Sequence, residues 1–340
     1  MKTLLLAAFA SLFSFVSVCL AQEVVTVKAG DYTLSGPYTH ENLTIYLIHG
    51  QDPLPGREYF VLSEAITAGM AVVHETSNVN ELSVENLSKE RDLYIPAGTI
   101  VKGGKQDRTI AQDLIVRPGS GKVAIGAFCV EQGRWRQRGR EEVAAFTSSN
   151  QALAGKELKM AARYHSDQGQ VWKEVSANQE RLSANTGGDV RAAESQSSFQ
   201  LTLESEAVAR SINGYVEKLS PIMEQKENVI GYAFAINGEV NSAEVFASHA
   251  LFVKLWPTLL KSSAVEAVAQ AGKKVDKQVT VEEIRATLAA ADSADASKEQ
   301  AINDRTQSVT RDSEKAVLFE TRDQSADGKE GYVRRSYYAK

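Results

Sequence analysis

The chain has 340 residues, 43% of them hydrophobic and 24% charged, and a formal net charge of −5. That is enough apolar material for a buried core in one large domain or two small ones. The mild acidity speaks against nucleic acid as a partner, because neutralising phosphates takes clustered basic groups.

The elements begin with a leader. Lys2 precedes an uncharged apolar run at 4–18, and Cys19-Leu20-Ala21 puts small residues at the two positions read by signal peptidase. This predicts a signal peptide over 1–21, cut after Ala21, and a secreted or periplasmic destination. An apolar run of about 15 residues is short for a membrane span of roughly 20, so no span is expected after cleavage. Val18 is not the small residue that a lipidated Cys19 would need before it. Cleavage removes one lysine and no acid, taking the net charge to −6, and leaves Cys129 as the only cysteine. No internal disulfide can then staple the fold, and stability falls to the core.

Residues 23–28 and 42–48 alternate as half-buried strands do, with Gly30, Gly36 and Pro37 marking turns between them. Two prolines and two glycines make 50–59 a surface loop. The segment 60–69 (FVLSEAITAG) predicts a short helix, with Ser63 as its cap and Gly69 as its stop. MAVVHE and ELSVEN follow as an antiparallel pair of strands around a turn at 78–80. Pro96 and Gly98 interrupt a strand at 94–101, and Gly103-Gly104 takes a tight bend. TIAQDLIVR resumes the strand, PGSG turns it, and KVAIGAFCVE is a third strand of an antiparallel meander.

Past Trp135 the period becomes helical, at 150–164 and again at 168–182. An exposed loop is expected at 183–198, and a helix at 203–219, ahead of Pro221. Asn237-Gly238 between alternating runs predicts a type I′ hairpin over 229–246. Ser248 caps a helix that Pro257 kinks or divides, and Thr280 with Glu283 makes a capping box for a helix to 291. The polar stretch 292–313 reads as a linker or solvated helix, before a closing hairpin around Asp327-Gly328. The fold class is α+β: an N-terminal antiparallel β-rich meander packed with a helical C-terminal half that contains a β-hairpin. It is taken as a single domain over 22–340, with a β-rich part at 22–148, a helical part at 149–291, and the linker and closing hairpin at 292–340.

The residues able to carry chemistry gather at 93–135. Gly103 and Gly104 lead into Lys105, Gln106, Asp107 and Arg108, and the next strand ends in Glu131, Arg134 and Trp135. Such a set forms a small anion nest, or else a hairpin whose charges pair with Asp107 and Glu131. The expected ligand-binding residues are Gly104, Lys105, Gln106, Arg108, Arg134 and Trp135. Glu131 is the one candidate acid or base. Arg134, Arg136, Arg138 and Arg140 alternate, which on an extended backbone lines them along one face as a grip for a polyanion or a solvated edge. Cys129 is a small core residue, or a thiolate if His74, His165 or His249 reaches it. The five histidines show no zinc spacing, so no metal is expected. G-x-S-x-G, S-x-x-K, P-loop and G-x-G-x-x-G motifs are missing, which leaves no reason to expect a cofactor.

SEAITAG, VVHE, LSVEN, GGKQDR and CVEQGRW, followed by GQVWKEV and AINGEVNSAEVF, occur here in one order. Over 59–270 this resembles the ARG and rhodanese-phosphatase-superfamily-associated protein domain family. The resemblance implies no particular reaction, and the family's name records an association with ADP-ribosylglycohydrolase-like and phosphatase-like partners, hence with ADP-ribose. On matching positions it implicates Gly104, Gln106, Arg108, Glu131, Arg134 and Trp135, with Trp172 and Asn237-Gly238 further on. The expected function is a ligand-binding or interaction module with a polar, anion-accepting groove at GGKQDR and CVEQGRW. The alternatives are an enzyme on an ADP-ribose-like or glycosidic substrate with Glu131 as acid or base, and a scaffold without a small-molecule site. Partners would be an anionic small molecule or another protein.

Overall fold

The computed structural model describes residues 25–29, 32–149, 152–272, 277–324 and 331–340. The leader and the Asp327-Gly328 turn lie outside these residues. The early and late strands meet in one nine-stranded antiparallel sheet. Its members are β1 (Val25–Ala29), β2 (Tyr32–His40), β3 (Leu43–His49), β13 (Val229–Ile236), β14 (Glu239–Phe246), β15 (Ala296–Ala301), β16 (Thr306–Asp312), β17 (Ala316–Asp323) and β18 (Tyr332–Ala339). The spatial order is β1-β2-β3-β13-β14-β18-β17-β16-β15. The predicted hairpin therefore lies at the middle of the sheet, and every residue of β13 is buried.

A six-stranded closed barrel forms from β5 (Ala71–Asn78), β6 (Glu81–Asn86), β8 (Ile100–Gly103), β9 (Arg108–Ile110), β11 (Lys122–Cys129) and β12 (Ala145–Ser148). Val73, Leu82, Val84, Val101, Ile110, Ile125 and Phe146 fill it. Beside it β4 (Tyr59–Val61), β7 (Asp92–Ile95) and β10 (Leu114–Val116) make a small sheet in which β4 and β7 run parallel. TIAQDLIVR is thus divided between two sheets, and the expected meander is a barrel with a mixed neighbour.

Helix α6 (His249–Ala269) covers one face of the large sheet with α5 (Glu206–Leu219) and α3 (Gln168–Thr186) beside it. Helix α7 (Val281–Asp292) covers the other face through Val281, Ile284 and Leu288. Ser248 accepts from the Leu251 amide and α6 continues past Pro257 undivided. The Thr280–Glu283 capping box forms as expected. Asn237 and Gly238 take φ of 52° and 76°, the left-handed pair that a type I′ turn needs. The α+β class holds.

Several local expectations are corrected. Residues 292–313 are neither linker nor helix but contain β15 and β16; every residue of β15 is exposed, so this edge strand lacks the apolar alternation that would announce it. Gly36 and Pro37 do not end a strand: β2 bulges there, between Ser35 and Tyr38, so the proline takes no place in the ladder. In α1 (Leu62–Thr67) Ser63 is not the cap, because the Val61 amide is taken by Glu64 at 3.3 Å. The helix expected over 203–219 divides at Ser205, whose side chain caps α5 and ends α4 (Phe199–Glu204). Helix α2 (Lys156–Lys159) is one turn long and passes into a π-helical turn, Met160–His165.

Candidate functional site

The GGKQDR loop joins β8 to β9 at the mouth of the barrel, and the CVEQGRW segment leaves β11 beside it. Two glycines make this bend possible. Gly103 and Gly104 have φ of 120° and 54°, and a Cβ on Gly104 would lie 2.2 Å from the Phe146 ring. The bend carries Asp107 to the end of β11, where its amide donates to Glu131 Oε2 at 3.0 Å and its carbonyl accepts from Val130.

Around these two carboxylates the arginines close. Arg138 donates to both Asp107 oxygens at 2.8 and 3.0 Å and to Glu131 Oε1 at 3.2 Å. Arg134 holds Glu131 from Nε and Nη2, both at 2.7 Å, and reaches the Gly103 and Gly104 carbonyls at 3.1 Å. Ser198, from the start of α4, donates to Asp107 Oδ2 at 2.8 Å. Burial pushes the Asp107 carboxyl up, and nearby Glu131 adds to it against the pull of Arg138. Burial also raises Glu131, but donors from Arg134, Ser195 and the Asp107 amide outweigh it and hold this group below the usual range.

Gly104, Gln106, Arg108, Glu131 and Arg134 are brought together as the sequence placed them, and all are buried. Arg108 is fully enclosed. Its Nη1 lies 2.8 Å from Cys129 Sγ, its Nη2 faces Glu75 at 3.9 Å, and Trp135 covers it at 5.6 Å. Lys105 and Trp135 reach solvent: Trp135 is 44% exposed, and the Lys105 ammonium sits 5.1 Å from its ring while donating to Ser77. Cys129 is buried against Arg108 and Gln106, and burial pushes its thiol up. Among the described residues no histidine is hydrogen-bonded to that thiol.

The arginine stripe is corrected. Residues 131–143 form turns, not a strand, so Arg134 and Arg138 fold inward while Arg136 and Arg140 stay exposed. Asp107 pairs with arginine as the hairpin alternative expects, whereas Arg138, expected on the stripe, and Ser198 join it from outside the expected site residues. The crowding of charge after two glycines is a legible signal for Asp107, and the alternating arginines of 134–140 are the only signal for Arg138. Ser198 stood in an expected exposed loop, yet it is fully buried. Trp172 is half-buried on α3, and Asn237 bonds the Gln270 carbonyl at 2.9 Å, so neither belongs to this cluster.

Open space lies elsewhere. A cleft of about 780 Å³ sits at one end of the large sheet, on the face that α7 covers further along, between the ends of β2, β3, β17 and β18. Tyr32 and Tyr332 share a hydrogen bond at 2.9 Å, and Arg335 stacks on Tyr332 at 4.2 Å. Arg322 and Arg335 both bind Glu320, at 2.5 and 2.6 Å, so two guanidinium groups face one carboxylate. His49 lines the opposite wall beside Ser35 at 2.7 Å; burial lowers its pKa, and Lys226 lowers it further. In sequence YVRRSYY reads as one arm of the closing hairpin, and lining groups from segments some 300 positions apart have no common sequence signal.

The model of a family, described as the ARG and Rhodanese-Phosphatase-superfamily-associated Protein domain, matches residues 31–330. No curated protein and no solved structure matches the chain.

Proposed function

Because the chain belongs to the ARG and Rhodanese-Phosphatase-superfamily-associated Protein domain family, whose motifs here close on themselves, we propose that it is a binding module for a small organic anion. The ligand sits in the cleft at the strand ends, and GGKQDR with CVEQGRW acts as an internal brace. One observation carries this reading: among its described lining residues the cleft sets two guanidinium groups, Arg322 and Arg335, against one carboxylate, Glu320. Its volume falls within the roughly 300–1,000 Å³ of small-molecule sites, and the Tyr32 and Tyr332 rings offer an apolar wall beside the charge. The acid-base reading of Glu131 finds less support. A general acid or base must reach its substrate, and both Glu131 oxygens are already taken by Arg134, Arg138 and the Asp107 amide. Residues 1–21 belong to the proposal as a secretory leader, checked by the mass of the mature protein.

The test is a thermal-shift and calorimetric screen of residues 22–340 against ADP-ribose, NAD, phosphosugars and polyanions. A ligand that binds only the native state raises its stability. We expect a shift with wild type that disappears in Arg322→Glu, whose side chain is 37% exposed and removable without opening the core. Arg134→Ala is expected to lower the melting temperature with or without ligand. A shift that survives Arg322→Glu but is lost in a folded Arg134 or Arg108 variant would return the site to the GGKQDR loop. No shift for any compound would favour a scaffold.

A further inference from the structure

We infer that a second, smaller site lies under Arg163: a partly open hollow that takes a free inorganic oxyanion of the size of phosphate or sulfate. The hollow measures about 90 Å³ and lies between the π-helical turn Met160–His165 and the outer strands β15, β16 and β17, on the sheet face turned away from α7. Its polar lining consists of Gln112, Arg163, Tyr164, Ser297, Lys298, Gln300, Ser308 and Thr310, with Phe319 as the apolar floor. Two of these groups are cations, and none is a carboxylate. Gln112, Arg163, Lys298 and Gln300 carry N–H groups that can be given to an anion, whereas the Tyr164 and Ser297 hydroxyls already donate to Asp312 and to the Thr310 carbonyl.

Arg163 supplies the independent sign of a missing partner. It is only 4% exposed, yet its Nε finds no hydrogen-bond partner among the described residues. Its Nη1 faces Asp113 at 3.0 Å, while Nη2 reaches Ser308 and Thr321 only at 3.5 and 3.4 Å. Phe319 lies 4.4 Å below the guanidinium and fixes its plane. A buried donor left unmet is costly, so natural structures supply a partner for it. The wider charge pattern agrees. Asp113 and Glu244 are the two carboxylates paired within the buried network behind this hollow, against three cations, Arg163, Arg334 and Lys159. Glu266, at the edge of that network, is pushed by burial to a pKa of about 7 and supplies only part of a charge near neutrality. Burial lowers the pKa of Lys159 in the same way. The π-helical geometry contributes as well: widening the helix at Met160–His165 turns both Arg163 and Tyr164 toward the sheet, and such turns are frequent at functional sites.

The experiment is isothermal titration of residues 22–340 with sodium phosphate and with sodium sulfate, against sodium chloride at matched ionic strength, and with a parallel thermal shift. Saturable binding of one anion per chain is expected. Lys298 is exposed, so Lys298→Glu leaves the fold intact and sets a carboxylate at the rim; Arg163→Lys keeps the charge but not the planar fork. Each is expected to weaken binding roughly tenfold or more. Arg322→Glu, in the larger cleft, should leave this binding unchanged, which separates the two sites. A response no greater than that to chloride, a response unchanged in Lys298→Glu or Arg163→Lys, or one abolished by Arg322→Glu would each overturn the assignment.

Discussion

Arg334 and Arg335 are neighbours in β18, and because successive side chains in a strand point to opposite faces they meet different surroundings. Arg335 reaches the cleft, whereas Arg334 is fully buried and holds Glu244 with two bonds of 2.8 Å and Asp113 with one of 2.9 Å. Asp113 also accepts from Tyr94, Thr321 and the Ala97 amide. Burial would raise its carboxyl, but the Arg163 and Arg334 charges, with the Thr321 and Ala97 donors, overcome it and hold the group well below the usual range. Removing one member of such a network costs about 3–5 kcal/mol, because the partner is left charged and unpaired. Glu266 behaves in the opposite sense. Its pKa is raised from 4.5 to about 7, by burial first and by Glu157 second. Below pH 4.5 the group is protonated in both folded and unfolded chains, and its contribution is fully present. Between 4.5 and 7 the unfolded chain gives up its proton while the folded one keeps it, so stability falls, by up to about 3 kcal/mol at 1.4 kcal/mol per unit. Glu266→Gln keeps the contact with Asn241 at 3.3 Å and is expected to flatten this decline, gaining roughly 1–3 kcal/mol at pH 8 and nothing at pH 4. Urea unfolding of both proteins across that range is the check, and parallel pH profiles would refute the assignment.

Among the elements, the β13–β14 hairpin ties most of the fold together. Asn237 adopts the left-handed conformation, donates to the Gln270 carbonyl at the end of α6 and accepts from Asn42 at 3.2 Å, so one side chain joins β3, the hairpin and α6. Asn237→Ala removes both bonds and puts an ordinary side chain where asparagine is tolerated, at an expected cost of about 1–2 kcal/mol. Chemical denaturation measures it, and an unchanged midpoint would mean that the turn holds its shape without the asparagine. This hairpin and the caps of α6 and α7 were legible in the sequence because their causes are local, whereas α3 runs four residues past its expected end at 182, into the expected loop. A cap and the amide that donates to it lie within four residues, and a turn declares its own backbone. The polar brace was half legible. Asp107, Arg108, Glu131 and Arg134 stand out as a set, but whether such charges face water or one another depends on where β11 ends relative to β8, which is a tertiary fact. The polar edge β15 and the cleft left no local trace.

At the scale of the whole molecule, β18 holds the position on which the large sheet depends. It lies between β14 and β17, and β15, β16 and β17 reach the rest of the sheet only through it. Ending the chain after residue 331 would divide the sheet, expose the long edges of β14 and β17, and strand Asp113 and Glu244 without Arg334. We expect that truncated chain to lose its cooperative thermal transition and to be cut first within 293–324 by a nonspecific protease. A transition equal to that of the full chain would show that the remaining strands stand alone.

The same placement bears on how the chain is made. Synthesis delivers β1, β2 and β3 first, but β3 has no outer partner until 229–236 has emerged, and β14 waits for the last strand of all. The barrel, complete by residue 148, is free to form while the ribosome is still working; the large sheet is not. Contacts so distant along the chain close slowly, so the large sheet is expected to form after the barrel.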